Sequence, residues 1–211
     1  MPKTTSSRNK KDIFVLGAGG HSRSLLNCLK LSGYRVKGFF DDGLRSADEM
    51  IDGIPVVGKI KDVPRNVSVV LSTGNNVLRE KWLKQFGGQV IKDNVMHPLA
   101  VVEEGATLGK HNQLLAGSYV NSFARVGNNN ILNTRCVVEH EAVLGDNNHV
   151  AVGAIVCGRT AIGNRCMIGA GAVVIDQIKI CDDVTVGANA VVVKDITAPG
   201  TYAGNPARNI K

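Results

Sequence analysis

Aromatic residues are scarce. Phe, Tyr and Trp make up 4% of the 211 residues, with one Trp. Any core must therefore be filled mainly by Val, Ile, Leu and Ala. No apolar run approaches the roughly 20 residues of a membrane-spanning helix. There is no secretory signal pattern and no CxxC pair. The five cysteines (Cys28, Cys136, Cys157, Cys166, Cys181) are an odd number. These absences argue against a disulfide framework and point to free thiols in a reducing cytoplasm. Acidic residues are missing from residues 1–11, where Lys3, Arg8, Lys10 and Lys11 supply four of the +7 net charges and leave +3 for the rest. Those eleven residues are expected to be a disordered basic leader. No nucleic-acid-binding motif accompanies the charge, so nucleic acid is not an expected partner. A mild positive excess suits phosphorylated small ligands.

What is present is a strict sixfold repeat. From Val102 through Leu108 and Leu114, and on in steps of six to Ile180, Val186 and Val192, sixteen consecutive hexads open on Val, Ile or Leu. Four places later the residue is usually small, as at Ser118, Ala124, Cys136, Ala142, Ala154, Cys166 and Ala172. One place later it is often Gly, as at Gly109, Gly127, Gly145 and Gly163, which predicts a sharp bend that exploits φ > 0. Six residues do not fit a helical period, and a fixed short period is the mark of a β-solenoid. Three hexads make one triangular coil. At strand spacing the sixteen hexads predict about 5⅓ coils, roughly 25 Å tall. An open solenoid end needs a cap, and Tyr202–Arg208 is the candidate.

The first hundred residues read differently. A buried strand, Ile13–Leu16, runs into Gly17-Ala18-Gly19-Gly20-His21-Ser22 and a helix with Leu25, Leu26 and Leu29 on one face. A second strand, Val36–Phe40, ends in Asp41-Asp42. Ile54–Val57 is a short extended piece. A third strand, Val67–Leu71, ends in Ser72-Thr73-Gly74-Asn75-Asn76, before a helix over Val77–Phe86 and a return strand at Gln89–Lys92. The alternation predicts an α/β domain, a small Rossmann-like βαβαβ parallel sheet with binding loops at the strand C-terminal ends. A nicotinamide fingerprint would need Gly at position 22, where Ser22 stands. The glycines still let a ligand approach the backbone at a helix N-terminus. The boundary is expected at His97-Pro98, giving domains 12–97 and 98–211.

Taken together, GAGGHS, FFDD, TGNN, His97-Pro98 and the hexads resemble the left-handed β-helix acyltransferases with hexapeptide repeats. Within them the pattern is similar to the bacterial nucleotide-sugar N-acetyltransferases of the bacillosamine type, and sialic-acid O-acetyltransferase relatives share the layout. The resemblance implies the left hand of the solenoid, acetyl-CoA as co-substrate, and a homotrimer with each active site between subunits. It implies a UDP-linked amino-dideoxy sugar as acceptor, acetylated at the C4 amine. Carried over by motif, Gly19, Gly20, His21, Asp41, Asp42 and Gly74 are nucleotide-sugar contacts, and Asn133 lies near the acceptor. His149, Ala170 and Ala188 are acetyl-CoA contacts.

The chemistry points to Val138-Glu139-His140-Glu141-Ala142-Val143. With Val138 and Ala142 inward, His140 and Glu141 fall at outward positions. An imidazole of pKa about 6.5 suits proton removal near neutrality, and an adjacent carboxylate strengthens it as a base. His140 is the expected general base and Glu141 its partner, with direct attack of the amine on the thioester. Gly158, eighteen residues on, is the expected oxyanion donor. Cys157 has no activating neighbour in sequence and is not expected to be a nucleophile. His111, His140 and His149 share no 18-residue column, so no metal is expected. Two alternatives stay open at this point: sugar O-acetylation, and a non-catalytic solenoid scaffold.

Overall fold

The computed structural model describes residues 11–43 and 49–210; the expected leader falls almost entirely outside them. The N-terminal domain holds strands β1 (Lys11–Leu16), β2 (Tyr34–Phe40), β3 (Met50–Ile51), β4 (Ile54–Gly58) and β5 (Val69–Leu71). Helix α1 (Gly20–Leu31) follows β1, and α2 (Asn76–Phe86) follows β5. The sheet order is β3-β4-β2-β1-β5. All pairings are parallel except β3–β4, a hairpin that makes the expected all-parallel sheet a mixed one. The return strand expected at Gln89–Lys92 is reduced to one bridge between Val69 and Val90. Backbone bonds from Gly17 to Phe40 and from Ser72 to Leu16 draw the loops after β1, β2 and β5 together at one sheet edge.

The hexads form the solenoid. Sixteen short strands from Val101–Val102 to Val191–Val192, three to a coil, stack in parallel into three flat faces. Partners lie eighteen residues apart, as in Val120 against Val138 and Leu132 against Val150. The register aliphatics from Leu114 to Val192 are buried, and so are the small residues Ser118, Ala124, Cys136, Ala142, Ala154, Cys166, Ala172 and Ala190. The interior is narrow enough that one aliphatic and one small residue per hexad fill it.

Two expectations need correcting. The left-handed corner residue is three places after each aliphatic, at every hexad from Gly105 to Asn189, and includes Phe123, Arg135 and Glu141. The glycines one place after the aliphatic do not have left-handed φ. They are small because coils touch there: a Cβ on Gly127 or Gly145 would lie 2.7 Å from the carbonyl oxygen of Gly145 or Gly163 on the next coil. The domain boundary also comes earlier than His97-Pro98. Strand β6 (Val95–Met96) pairs with Gln113–Leu114, so the solenoid begins with a hexad whose leading residue is Met96.

One solenoid face is covered and two are open. The face carrying Gln113, Ile131 and His149 packs under the N-terminal domain, whose core takes in Val95 and Leu115. Beside it runs a ladder of buried asparagines, Asn112, Asn130 and Asn148, each amide N–H donating to an asparagine Oδ1 one coil back. At the far end, Gly200–Ala203 pairs with Val184–Val186 and closes the stack, as the cap required.

Candidate active site

His140 sits at the corner joining the two open faces, between strands Val137–Val138 and Val143–Leu144. Glu141, the left-handed residue of that corner (φ 59°), turns back so that its Oε2 lies 3.3 Å from His140 Nδ1. Both side chains are about half exposed, at 46% and 55%. With Nδ1–H donating to the carboxylate, Nε2 is the nitrogen left to take a proton. The ring lies over Gly158: a Cβ there would be 2.6 Å from Cε1 and 2.7 Å from Nε2. Any larger residue at 158 would displace the imidazole. Among the described residues no hydrogen bond is donated by the Gly158 amide, whereas the His140 amide, one coil away in the column, donates to Glu139 Oε2.

The column continues to Asp176, whose Oδ1 would be 3.2 Å from the same Cβ. Arg159 and Gln177 hold its carboxylate, and these bonds lower its pKa, Gln177 most. Asp176 was not anticipated, although a second step of eighteen from His140 lands on it. Cys157 is partly buried, and burial together with Glu139 and Asp176 raises its thiol pKa, which disfavours a thiolate nucleophile.

The second group of expected residues gathers on the other side of the molecule. Gly19, Gly20, His21, Asp41, Asp42 and Gly74 line an open cleft of about 360 Å³ at the C-terminal edge of the sheet, with Trp82 of α2 in its wall. Asp41 accepts the N–H groups of Ala18 and Gly43, both at 2.6 Å, and so ties the first loop to the second. Asp42 accepts the Ile60 N–H at 3.0 Å. These carboxylates organise backbone; they are not a merely solvated acidic turn. Ser72 lines the same cleft, and its buried hydroxyl has no hydrogen-bond partner among the described residues.

The cleft meets the solenoid at two imidazoles whose ring centroids lie 6.0 Å apart, His21 and His149. His21 Nε2 bonds Gln113 Oε1 at 2.7 Å, and Gln113 Nε2 donates to the Leu71 carbonyl at 2.6 Å. His149 Nδ1 donates to the Gly74 carbonyl at 3.3 Å, and its Nε2 accepts from Asn133 at 3.1 Å. Burial first, then the charge of Arg79, then His21, pushes His149 down to about 4. Burial lowers His21 as well, with Arg79 adding to the effect and Gln113 opposing it. Both rings are therefore neutral near pH 7. His149, one of the expected acetyl-CoA contacts, lies at the domain junction with 8% of its surface exposed and both ring nitrogens engaged. Ala170 and Ala188 are exposed and stacked on the corner that follows this covered face. Nothing bulkier than a methyl group obstructs the backbone there.

One chain thus does not bring its expected residues together. The cleft, Asn133, His149, Ala170 and Ala188 border the covered face, while His140, Glu141 and Gly158 occupy the opposite corner. Among the described residues no group of three or more His, Cys, Asp or Glu is placed to hold a metal, and no helix is long and apolar enough to cross a membrane.

Residues 12–86 match the family described as the PglD N-terminal domain, and residues 159–194 match the bacterial transferase hexapeptide family. Among solved structures, PerB from Caulobacter crescentus, in complex with CoA and GDP-perosamine, is 30% identical over 98% of this chain and 100% of that one, with a TM-score of 0.87. The acetyltransferase domain of PglB from Neisseria gonorrhoeae FA1090 is 29% identical over 95% and 100%, also at 0.87, and that domain has been seen with acetyl coenzyme A. WeeI from Acinetobacter baumannii AYE is 27% identical over 95% and 100%, at 0.82. A curated relative, the uncharacterized protein L142 of Acanthamoeba polyphaga mimivirus, is 31% identical over 118 residues, and the match spans only 24% of that protein. Fold and site define a hexapeptide-repeat acyltransferase. More particularly, the chain belongs to the left-handed β-helix family that includes the Caulobacter GDP-perosamine N-acetyltransferase and the PglB acetyltransferase domain.

Proposed function

We propose that this protein moves the acetyl group of acetyl-CoA to the amine, at C4, of a UDP-linked amino-dideoxy sugar, working in the cytoplasm as a homotrimer. The observation that carries this reading is the His140 imidazole, backed by Glu141 at Nδ1 and poised with Nε2 over the bare Gly158. His140 accepts the proton released as the amine attacks, and Glu141 stabilises the imidazolium that results. The Gly158 amide donates to the oxygen on which negative charge builds. Acetyl-CoA supplies an activated acyl carbon, so no covalent enzyme intermediate is needed: the tetrahedral adduct collapses with cleavage of the C–S bond, and the CoA thiolate leaves, taking up the proton held by His140. Its arm lies along the exposed backbone at Ala170 and Ala188.

Gly19 and Gly20 open the α1 N-terminus to the diphosphate. His21, Asp41, Asp42 and Gly74 frame the nucleotide, and the unpaired Ser72 hydroxyl offers one further bond. Asn133 borders the acceptor end, and His149, bonded to it, meets the acetyl-CoA. The separation of the two groups supports a trimer. Between the Ala170 corner and the His140 corner, one open face carries the outward column Val101, Tyr119, Val137, Ile155, Val173 and Val191. Packing that apolar face on a second copy brings one protomer's His140 toward its neighbour's acceptor cleft.

A GDP-linked acceptor is the second reading, favoured by the GDP-perosamine held by PerB. Incubation with acetyl-CoA and matched UDP- and GDP-linked 4-amino sugars, with thiol release as readout, tests both. Release with the UDP sugar alone supports the first reading, and release with the GDP sugar alone replaces it with the second. Release with sialic acid only would mean O-acetylation. Silence across the panel would refute an acetyltransferase of this acceptor class.

A further inference from the structure

Among the described residues, the most completely buried charge plays no part in the chemistry above. Arg79, on the second turn of α2, has no measurable exposure. No carboxylate is among its hydrogen-bond partners. Its Nη1 donates to the Thr73 carbonyl at 3.1 Å and its Nε to the Asn129 carbonyl at 3.0 Å. Nη2 reaches Asn76 Oδ1 and the carbonyls of Asn147 and Asn148, each at 2.9 Å. Burial brings its pKa down to about 9, so it is still a cation at neutral pH.

Burying an arginine against neutral oxygens is costly and is sustained only where every N–H finds an acceptor. The acceptors here are specific in origin. Asn129 and Asn147 are left-handed corner residues on successive coils, so the solenoid presents two stacked carbonyls to the planar fork. Asn148 immediately precedes His149. Thr73 lies between Ser72 and Gly74, in the loop that lines the cleft and accepts the bond from His149. One rigid, planar group therefore touches both the loop of the α/β domain and the solenoid corner from which His149 projects.

We propose that Arg79 is a positioning residue for acceptor binding: its guanidinium fixes the 72–74 loop, which is one wall of the cleft, against the solenoid corner at 147–149, so that this wall is held in one arrangement before the nucleotide arrives. This rests on the cleft being the nucleotide site. Lysine cannot replace it, because a single ammonium offers three donors around one point and cannot span two coils and a loop. Ser32, just after α1, gives the internal contrast. Its hydroxyl donates to the Met96 carbonyl at 2.8 Å and so also ties the α/β domain to the solenoid, but it shares no partner with Arg79 and does not line the cleft.

The test uses Trp82, the single tryptophan, in the wall of the cleft. The 211-residue chain and its R79K, R79M and S32A variants are titrated with UDP and with GDP, following Trp82 emission, and separately with acetyl-CoA by calorimetry. Arg79→Lys is expected to weaken nucleotide binding tenfold or more, with acetyl-CoA affinity within twofold. Ser32→Ala is expected to lower the melting temperature yet leave nucleotide affinity within twofold. Arg79→Met is the more severe variant; should it not fold, R79K and S32A still decide the matter. Nucleotide affinity unchanged in R79K overturns the role of Arg79. So does an equal loss in S32A, which would mean that any weakening of the junction suffices. If the unsubstituted protein binds neither nucleotide, the assignment of the cleft fails, and the inference falls with it.

Discussion

The two halves of the protein are held together by opposite means. The solenoid interior is one aliphatic and one small residue, repeated with partners eighteen residues apart, and its coils touch through backbone at the glycine column. The junction between solenoid and α/β domain is built largely from Arg79, Asn76, Gln113, His21 and His149. A non-directional interior tolerates repetition, because any buried aliphatic of the right size serves. A polar junction depends on each donor meeting its acceptor, so it is specified residue by residue.

The sharpest contrast within the solenoid is between a residue on its outside and the stack itself. Replacing His140 with alanine should lower turnover about 10²–10⁴-fold, the general-base range, while CoA and nucleotide binding and the melting temperature stay close to those of the parent. Near-full rate in steady-state thiol release would remove His140 from the mechanism. Variants of the Caulobacter enzyme with one histidine changed to Ala or Asn were obtained with CoA and GDP-perosamine bound; this prediction asks for the same separation of binding from transfer.

Two glycines come next. In Gly145→Ala the new methyl would meet the Gly163 carbonyl on the next coil, which cannot yield without opening the stack. A loss of about 3 kcal/mol in urea unfolding is expected. In Gly158→Ala it would meet the His140 ring, which is free to swing outward, so stability should hold while turnover falls on the order of 10²-fold. If both variants lose stability equally, the distinction between a structural and a catalytic glycine disappears.

The junction should be the acid-sensitive part. His149 is pushed down to about 4 by burial, by Arg79 and by His21, from an unfolded value near 6.5. The native state therefore holds fewer protons than the unfolded chain between these values. The stability this group contributes is fully present above about pH 6.5 and is lost as the pH falls toward 4, by about 3 kcal/mol at most. His21 loses its contribution on the same side. Asp176, Asp182 and Asp183 are also lowered, but from a carboxylate value of 3.8, so their window lies below. Urea midpoints at pH 7.5 and 4.5 should differ less in His149→Asn than in the parent. An equal difference would show that the junction does not carry this dependence.

The smallest effect is expected at Ser72. Removing a buried hydroxyl without a partner should leave stability unchanged, or raised by up to about 1 kcal/mol. Nucleotide affinity should fall severalfold if the hydroxyl is used by the ligand. Unchanged affinity, read from Trp82 emission, would take Ser72 out of the site.

Sequence alone determined the solenoid and its inward residues, because a period of six repeated sixteen times leaves one way to bury the aliphatics. It also placed His140 and Glu141 outward and Gly158 in the same column, since stacking at eighteen residues is arithmetic. It missed the hexad at Met96, which departs from Val, Ile or Leu, and it misread the glycine column, because close approach of coils leaves no mark distinct from a bend. Only the tertiary structure decided that the His140 corner lies opposite the cleft beside Gly19 and Gly74, that His149 is buried, and that Arg79 joins the two domains. Those facts depend on which solenoid face the α/β domain covers. That choice rests on the packing of Val95 and Leu115 into the α/β core and on hydrogen bonds between residues 50 to 92 apart in the chain, for which no local pattern exists.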